Sequence, residues 1–298
     1  MISRVYSTNL KGGVQADLTA RTLIVGPSAA GKSAIVQALE LAAGLGASDV
    51  QGRAAVRAVG RLSQLTADGG PPDVEIVGPP PKRLPYREVA DALAAGPLAA
   101  LCHLAGLEPP HRGGEARERA ERIAIARTVQ DEWFRAHGED PAWLRWYAAE
   151  WAKAGKAAER EAKAHKREAA QLFAEAEPKI KALMATAARY VPADLGQFVI
   201  ATGTSRKPRC DLGLLRDGRL RVALSGAEWT ICVTAVALAR ADDSSLTVPV
   251  DRAMDVDLLH RWLAAMTAAP GQVIVTAIDE PQRVAGWSVQ DLASERQG

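Results

Sequence analysis

A chain of 298 residues can bury one large core or two modest ones. Its 48% apolar and 24% charged content is that of an ordinary globular protein. The net charge of +2 excludes a global field for nucleic acid or membrane, so any such surface must be local.

The first 25 residues read as a small β unit: residues 2–8 alternate like a strand, Lys11-Gly12-Gly13 turns, and 14–18 return. Thr22-Leu23-Ile24-Val25 is a short β-branched run with the character of a buried strand. Gly26-Pro27-Ser28-Ala29-Ala30-Gly31-Lys32-Ser33 follows, and 34–43 is a good helix former. Strand, glycine-bounded loop, then Lys-Ser opening a helix is the context in which G-x-x-x-x-G-K-[ST] binds nucleotide phosphate. Gly26 and Gly31 let backbone N–H groups, including those at Ser28 and Ala30, crowd an anion at a helix N-terminus. Lys32 is expected to reach the β- and γ-phosphates of ATP and Ser33 to ligand Mg²⁺.

Further along, the pattern predicts a helix over 54–65, a strand over 74–77 and a stiff Gly78-Pro79-Pro80-Pro81 loop. A helix over 86–106 breaks at Gly96-Pro97, and residues 109–114 are the clearest linker. From 115 to about 189 the chain is rich in Ala, Glu, Lys and Arg. Two antiparallel helices are expected there, 115–136 and 141–187, with a kink at Pro178. Strands return at 198–200, 211–215 and 220–224, the last two joined by a tight turn at Asp217-Gly218. A helix over 227–240, a strand over 246–250, a helix over 256–268, a strand over 272–276 and an edge strand over 284–289 complete the chain. Alternating strands and helices at both ends place three regions: half a head at 1–112, a helical-hairpin insert at 113–192 and the second half at 193–298.

Cys102, Cys210 and Cys232 are an odd number without paired spacing, arguing against a disulfide framework or zinc site and for a reducing cytosol. No signal-peptide pattern opens the chain and no apolar run reaches a membrane span, so a cytoplasmic protein without membrane contact is expected.

Leu224-Ser225-Gly226-Ala227-Glu228 stands where a strand gives way to a helix. Taken alone it is a capping-box helix start. Following a phosphate loop and a helical insert, it resembles the Leu-Ser-Gly-Gly-(Gln/Glu) signature of ABC-superfamily ATPase heads, in the RecF/SMC-like branch of DNA repair and recombination. Asn9-Leu10-Lys11 is similar to that branch's Asn-Phe-(Lys/Arg), adding Lys11 to the expected nucleotide contacts. The resemblance covers about 1–45 and 210–280. It implies an α/β P-loop head, interrupted by a short antiparallel helical hairpin, that dimerises on ATP. Ser225 and Gly226 of one copy would close over the phosphate held by Lys32 of the other.

The same resemblance makes Asp251, 27 residues after Leu224, the Walker B aspartate and a Mg²⁺ ligand with Ser33. The next position, expected to be the catalytic glutamate, is Arg252, which cannot act as a base. Asp255 matches the D-loop aspartate, and Ala277 stands at the switch-histidine position. Glu280 is the stand-in base. A competing alignment takes 273–281, ending in Asp279-Glu280-Pro281, as Walker B. Gln64 is the candidate for the family's Mg²⁺-contacting glutamine.

Lys153, Lys156, Arg160, Lys163 and Arg167 recur at three- and four-residue steps and share one helix face. They are either a solvated face or a contact to DNA phosphates. Trp143, Tyr147 and Trp151, with Trp146 and the opposing Trp133-Phe134, form a hairpin core, a base-stacking platform or a partner-docking patch. Two functions follow: an ATP-dependent ATPase acting on DNA in recombination, repair or maintenance, or a nucleotide-gated interaction protein with little turnover, docking a partner through the Trp-rich hairpin. A P-loop kinase is a third, weaker alternative.

Overall fold

The computed structural model describes residues 1–7, 14–27, 30–42, 74–108, 128, 132, 136, 142–204, 207–249, 254–281 and 283–292. The helices expected over 54–65 and 115–136 therefore lie outside the described residues, apart from helical Thr128, Glu132 and Ala136. Lys11, Ser28, Gln64, Asp251, Arg252, Trp133 and Phe134 lie outside them too.

The described strands are β1 (Arg4–Ser7), β2 (Val14–Asp17), β3 (Arg21–Val25), β4 (Glu75–Val77), β5 (Gln197–Thr204), β6 (Lys207–Arg216), β7 (Arg219–Arg221), β8 (Leu246–Thr247), β9 (Gln272–Ala277) and β10 (Ser288–Asp291). The described helices are α1 (Lys32–Ala42), α2 (Pro85–Ala94), α3 (Pro97–Ala105), α4 (Ala142–Ala187), α5 (Gly226–Arg240) and α6 (Val256–Met266). The chain divides into two compact units: Met1–Gly96 with Lys181–Ala201 and Asp211–Gly298, and Pro97–Ile180 with Thr202–Cys210. Composition predicts an insert over 113–192; in space the chain divides at Gly96, Ile180, Ala201 and Cys210.

The first unit is built on a four-stranded sheet in the order β10-β3-β9-β8, every pair parallel. β3 is buried along its whole length, as the run of Leu, Ile and Val requires of a central strand. A second sheet, β2-β1-β4, is antiparallel and buries Val5 and Ala16 on one face. Its core joins Ile24 and Ile274 of the parallel sheet to Ala34, Ile35, Ala38 and Leu39 of α1. Of the strand expected over 246–250, the described residues 246–249 form a strand only at Leu246–Thr247, since Pro249 has no N–H to give a ladder. The last strand falls at Ser288–Asp291 rather than 284–289, after a turn at residues 285–286.

In the same unit, β6 and β7 pair through Asp217-Gly218, with φ of 50° and 71°, the left-handed pair a two-residue hairpin needs. α2 and α3 each open on proline at the first helical position, which separates the two pieces of the expected 86–106 helix. The second unit holds α3, with Leu101, Cys102 and Leu104 buried, and most of α4. α4 continues through Pro178 as one 46-residue helix. No described helix is long and apolar enough to cross a membrane.

Candidate functional site

β3 delivers the chain to Gly26 at the carboxyl edge of the parallel sheet, where open α/β sheets bind ligands. Three neighbours hold the loop's entry. Gly26 N donates to Ala277 O at the end of β9 (3.2 Å), Leu292 N donates to Val25 O (2.9 Å), and Ala30 N donates to Pro27 O (3.1 Å). A Cβ on Gly26 would stand 3.0 Å from Ala30 Cβ and 3.3 Å from Leu292 Cβ, so any larger residue would have to push both neighbours back. Gly31 has a φ of 99°, a left-handed conformation that turns the chain into α1. Its carbonyl then accepts from Ala34 N and Ile35 N to start the helix.

Lys32 opens α1 with only 5% of its surface exposed. A buried ammonium needs acceptors, and its Nζ donates to Gly26 O (2.6 Å) and Pro27 O (3.1 Å). The loop thus wraps a cation, with exposed Ser33 beside it and no acidic residue in the first turn of α1. A cradle of glycine-permitted backbone, a helix N-terminus and a buried lysine fits a polyphosphate anion.

Two acidic stretches are expected to supply the carboxylate. Glu280 lies three residues beyond β9, the strand hydrogen-bonded directly to β3, and is exposed. Asp251, four residues beyond β8 in the sequence, lies outside the described residues. β8 pairs with β9 in parallel. Among the described residues, no group of three or more His, Cys, Asp or Glu side chains could hold a metal ion.

Ser225 belongs elsewhere, between the β5-β6-β7 sheet and α5. Its Oγ accepts from Glu228 N (3.2 Å), and Glu228 Oε2 accepts from Ser225 N (2.8 Å), a complete capping box. Arg216 Nη2 meets the other oxygen of Glu228 at 2.7 Å. Burial raises the Glu228 pKa, but the hydrogen bonds from Ser225 and the Arg216 charge outweigh it and hold the carboxyl below its ordinary range. Gly226 is the first residue of α5 and is exposed. Asp255 caps α6, its Oδ1 accepting from Leu258 N at 2.7 Å. Lys153, Lys156, Arg160, Lys163 and Arg167 are all exposed along α4.

Smc heads and RecF are among the solved structures that match the chain. A Pyrococcus furiosus Smc head domain with an extended coiled coil, bound to the C-terminal domain of ScpA, matches at 14% identity over 93% of this chain and 89% of that one, with a TM-score of 0.40. An Smc head bound to the C-winged helix domain of ScpA matches at 13% identity over 96% and 91%, with a TM-score of 0.44. The recombination mediator RecF with ATP, of the RecFOR pathway, matches at 9% identity over 95% and 93%, with a TM-score of 0.37. No family model and no curated protein sequence matches the chain.

Contributors without a sequence signature support the site from behind. Arg21, at the start of β3, is buried and donates to the carbonyls of Ala20 (2.6 Å), Gly271 (2.7 Å), Met266 and Thr267 (both 3.2 Å), and Ala269. It thereby ties β3 to the C-terminal end of α6. Burial pulls the Arg21 pKa down, opposed by Tyr190. Gln272, at the start of β9, accepts from Ile2 N (3.0 Å) and donates to Ile2 O (2.7 Å) and Thr19 O (2.9 Å). Neither type nor spacing marks these two residues, because each acts across more than 240 positions of chain.

Proposed function

We propose that this protein binds ATP with Mg²⁺ and is an ABC-type ATPase that dimerises on ATP and acts on DNA in recombination, repair or maintenance. The observation that carries the nucleotide reading is the buried Lys32 ammonium, enclosed by a glycine-dependent loop at the carboxyl edge of a parallel sheet. The backbone of Gly26, Ser28, Ala30 and Gly31 would hold the phosphates. Lys32 would exchange its bonds to Gly26 O and Pro27 O for phosphate oxygens, and Lys11 would add a second cation. Bound Mg²⁺ supplies charge neutralisation between the phosphates; Ser33 and Asp251 would hold it, with Gln64 as a further ligand.

The Ser225-Gly226 stretch supports the dimer. It presents an exposed helix start on a sheet other than the one that carries the loop, as a group serving a second copy's phosphates would. Asp255 would line the same junction. DNA would meet the exposed stripe Lys153–Arg167 on α4, through phosphates and without sequence preference. Glu280, exposed three residues beyond β9, would stand in as the base.

Arg252 favours a second reading, a nucleotide-gated switch with little turnover that docks a partner through the Trp-rich segment. Light scattering on the full chain tests the dimer: Mg-ATP is expected to double the mass, and a mass unchanged by Mg-ATP would contradict the sandwich. Phosphate release then separates the two readings, since the gated switch dimerises without turning over.

A further inference from the structure

Gly78-Pro79-Pro80-Pro81 follows β4 on the way to α2, and nothing in the nucleotide reading uses it. Each proline fixes its own φ and also drives the residue before it out of the helical region. Pro79 and Pro80 meet both conditions, so they are held in the polyproline II form. Residues 79–81 are neither helix nor strand.

The fold grips this run at both ends. Val77 O accepts from Ser3 N (2.7 Å) and Ser3 Oγ (3.0 Å), and Lys82 N donates to Ser244 O (3.0 Å). Gly78 has a φ of 112°, and a Cβ there would run into Met1 O. Between the anchors, no described residue donates to the carbonyls of residues 78–81.

Polyproline II turns once every three residues, so one residue in three can face the protein while the other two face out. Pro81 is half-buried, and Pro79 and Pro80 are exposed. Lys82, one turn after Pro79, is exposed as well. Among the described residues Lys82 forms no ion pair, whereas its neighbour Arg83 is held by Glu88 at 2.5 Å. The outcome is a rigid ridge of two proline rings, with open carbonyls along it and the Lys82 ammonium at its end.

We propose that this ridge docks a protein partner whose groove is lined with aromatic rings and edged by a carboxylate. Pro79 and Pro80 would fill the slots between the rings. Ring N–H and O–H donors would meet the open carbonyls, and Lys82 would face the carboxylate. Because the fold already fixes the run at both ends, docking orders little further chain. The surface stands apart from the phosphate loop and does not depend on nucleotide.

The test is a calorimetric titration of the full chain with a purified SH3 domain that has an acidic pocket beside its aromatic groove. Saturable binding by wild type is expected. The double variant Pro79→Ala, Pro80→Ala should weaken it about tenfold, and Lys82→Glu about fivefold. A free peptide of residues 76–84 should bind about threefold more weakly than the whole chain, since it must be ordered on docking. Both variants change exposed side chains, so the melting temperature should stay at the wild-type value. No saturable binding by wild type, or an affinity that the double variant leaves unchanged, would overturn the assignment. Should the double variant melt lower than wild type, Lys82→Glu decides, and an unchanged affinity there overturns it equally.

Discussion

Gly26 and Ser225 show how single residues here are spoken for by local chemistry. At Gly26 a methyl group would press on Ala30 at 3.0 Å and Leu292 at 3.3 Å, so Gly26→Ala is expected to push these neighbours back. It is expected to weaken ATP binding about tenfold or more in a titration, with the far-ultraviolet spectrum unchanged. At Ser225 the hydroxyl is engaged by Glu228 N, and Ser225→Ala is expected to cost about 1 kcal/mol in denaturant unfolding. Glu228 adds a pH dependence with a definite sign. Its folded pKa lies below the unfolded value, so its stabilisation is present above the ordinary carboxylate range and is lost as pH falls through the folded value. Unfolding at pH 7 and at about pH 4 should therefore differ less for Glu228→Gln than for wild type. An equal difference would mean that the Arg216–Glu228–Ser225 group does not act as described.

Between elements, the links that matter are long in sequence. Arg21 fastens β3 to the end of α6, where Trp287 Nε1 also donates to Leu263 O at 3.0 Å. Arg21→Met strips several buried carbonyls of their donor and is expected to cost about 3 kcal/mol in urea unfolding. A cost under about 0.5 kcal/mol, the size of an ordinary surface change, would contradict the latch. These links also mark where sequence reasoning stops. The β3–loop–α1 unit was legible because its signals are local: a β-branched run, two glycines at fixed spacing and a helix former. The Asp217-Gly218 hairpin and the start of α5 at Ser225 were legible for the same reason. The order β10-β3-β9-β8 was not, since parallel neighbours are chosen by packing over hundreds of residues.

At the scale of the whole molecule, a near-neutral chain with an exposed basic stripe on α4 should bind DNA only through that stripe. If the stripe contributes phosphate contacts, the logarithm of affinity falls with the logarithm of salt by about 0.9 for each phosphate contacted on duplex. Replacing Lys153, Lys156, Arg160, Lys163 and Arg167 with glutamine should flatten that slope and lower affinity. A slope unchanged by those replacements would place DNA elsewhere or nowhere. All of this presupposes that the loop at the sheet edge holds nucleotide, and the most direct measurement is a calorimetric titration of Mg-ATP into wild type and Lys32→Ala. Saturable binding by wild type and a loss of about a hundredfold in the variant are expected, since a charge-assisted contact to phosphate is removed. Equal affinity in the two proteins, or no binding by wild type, would contradict the account.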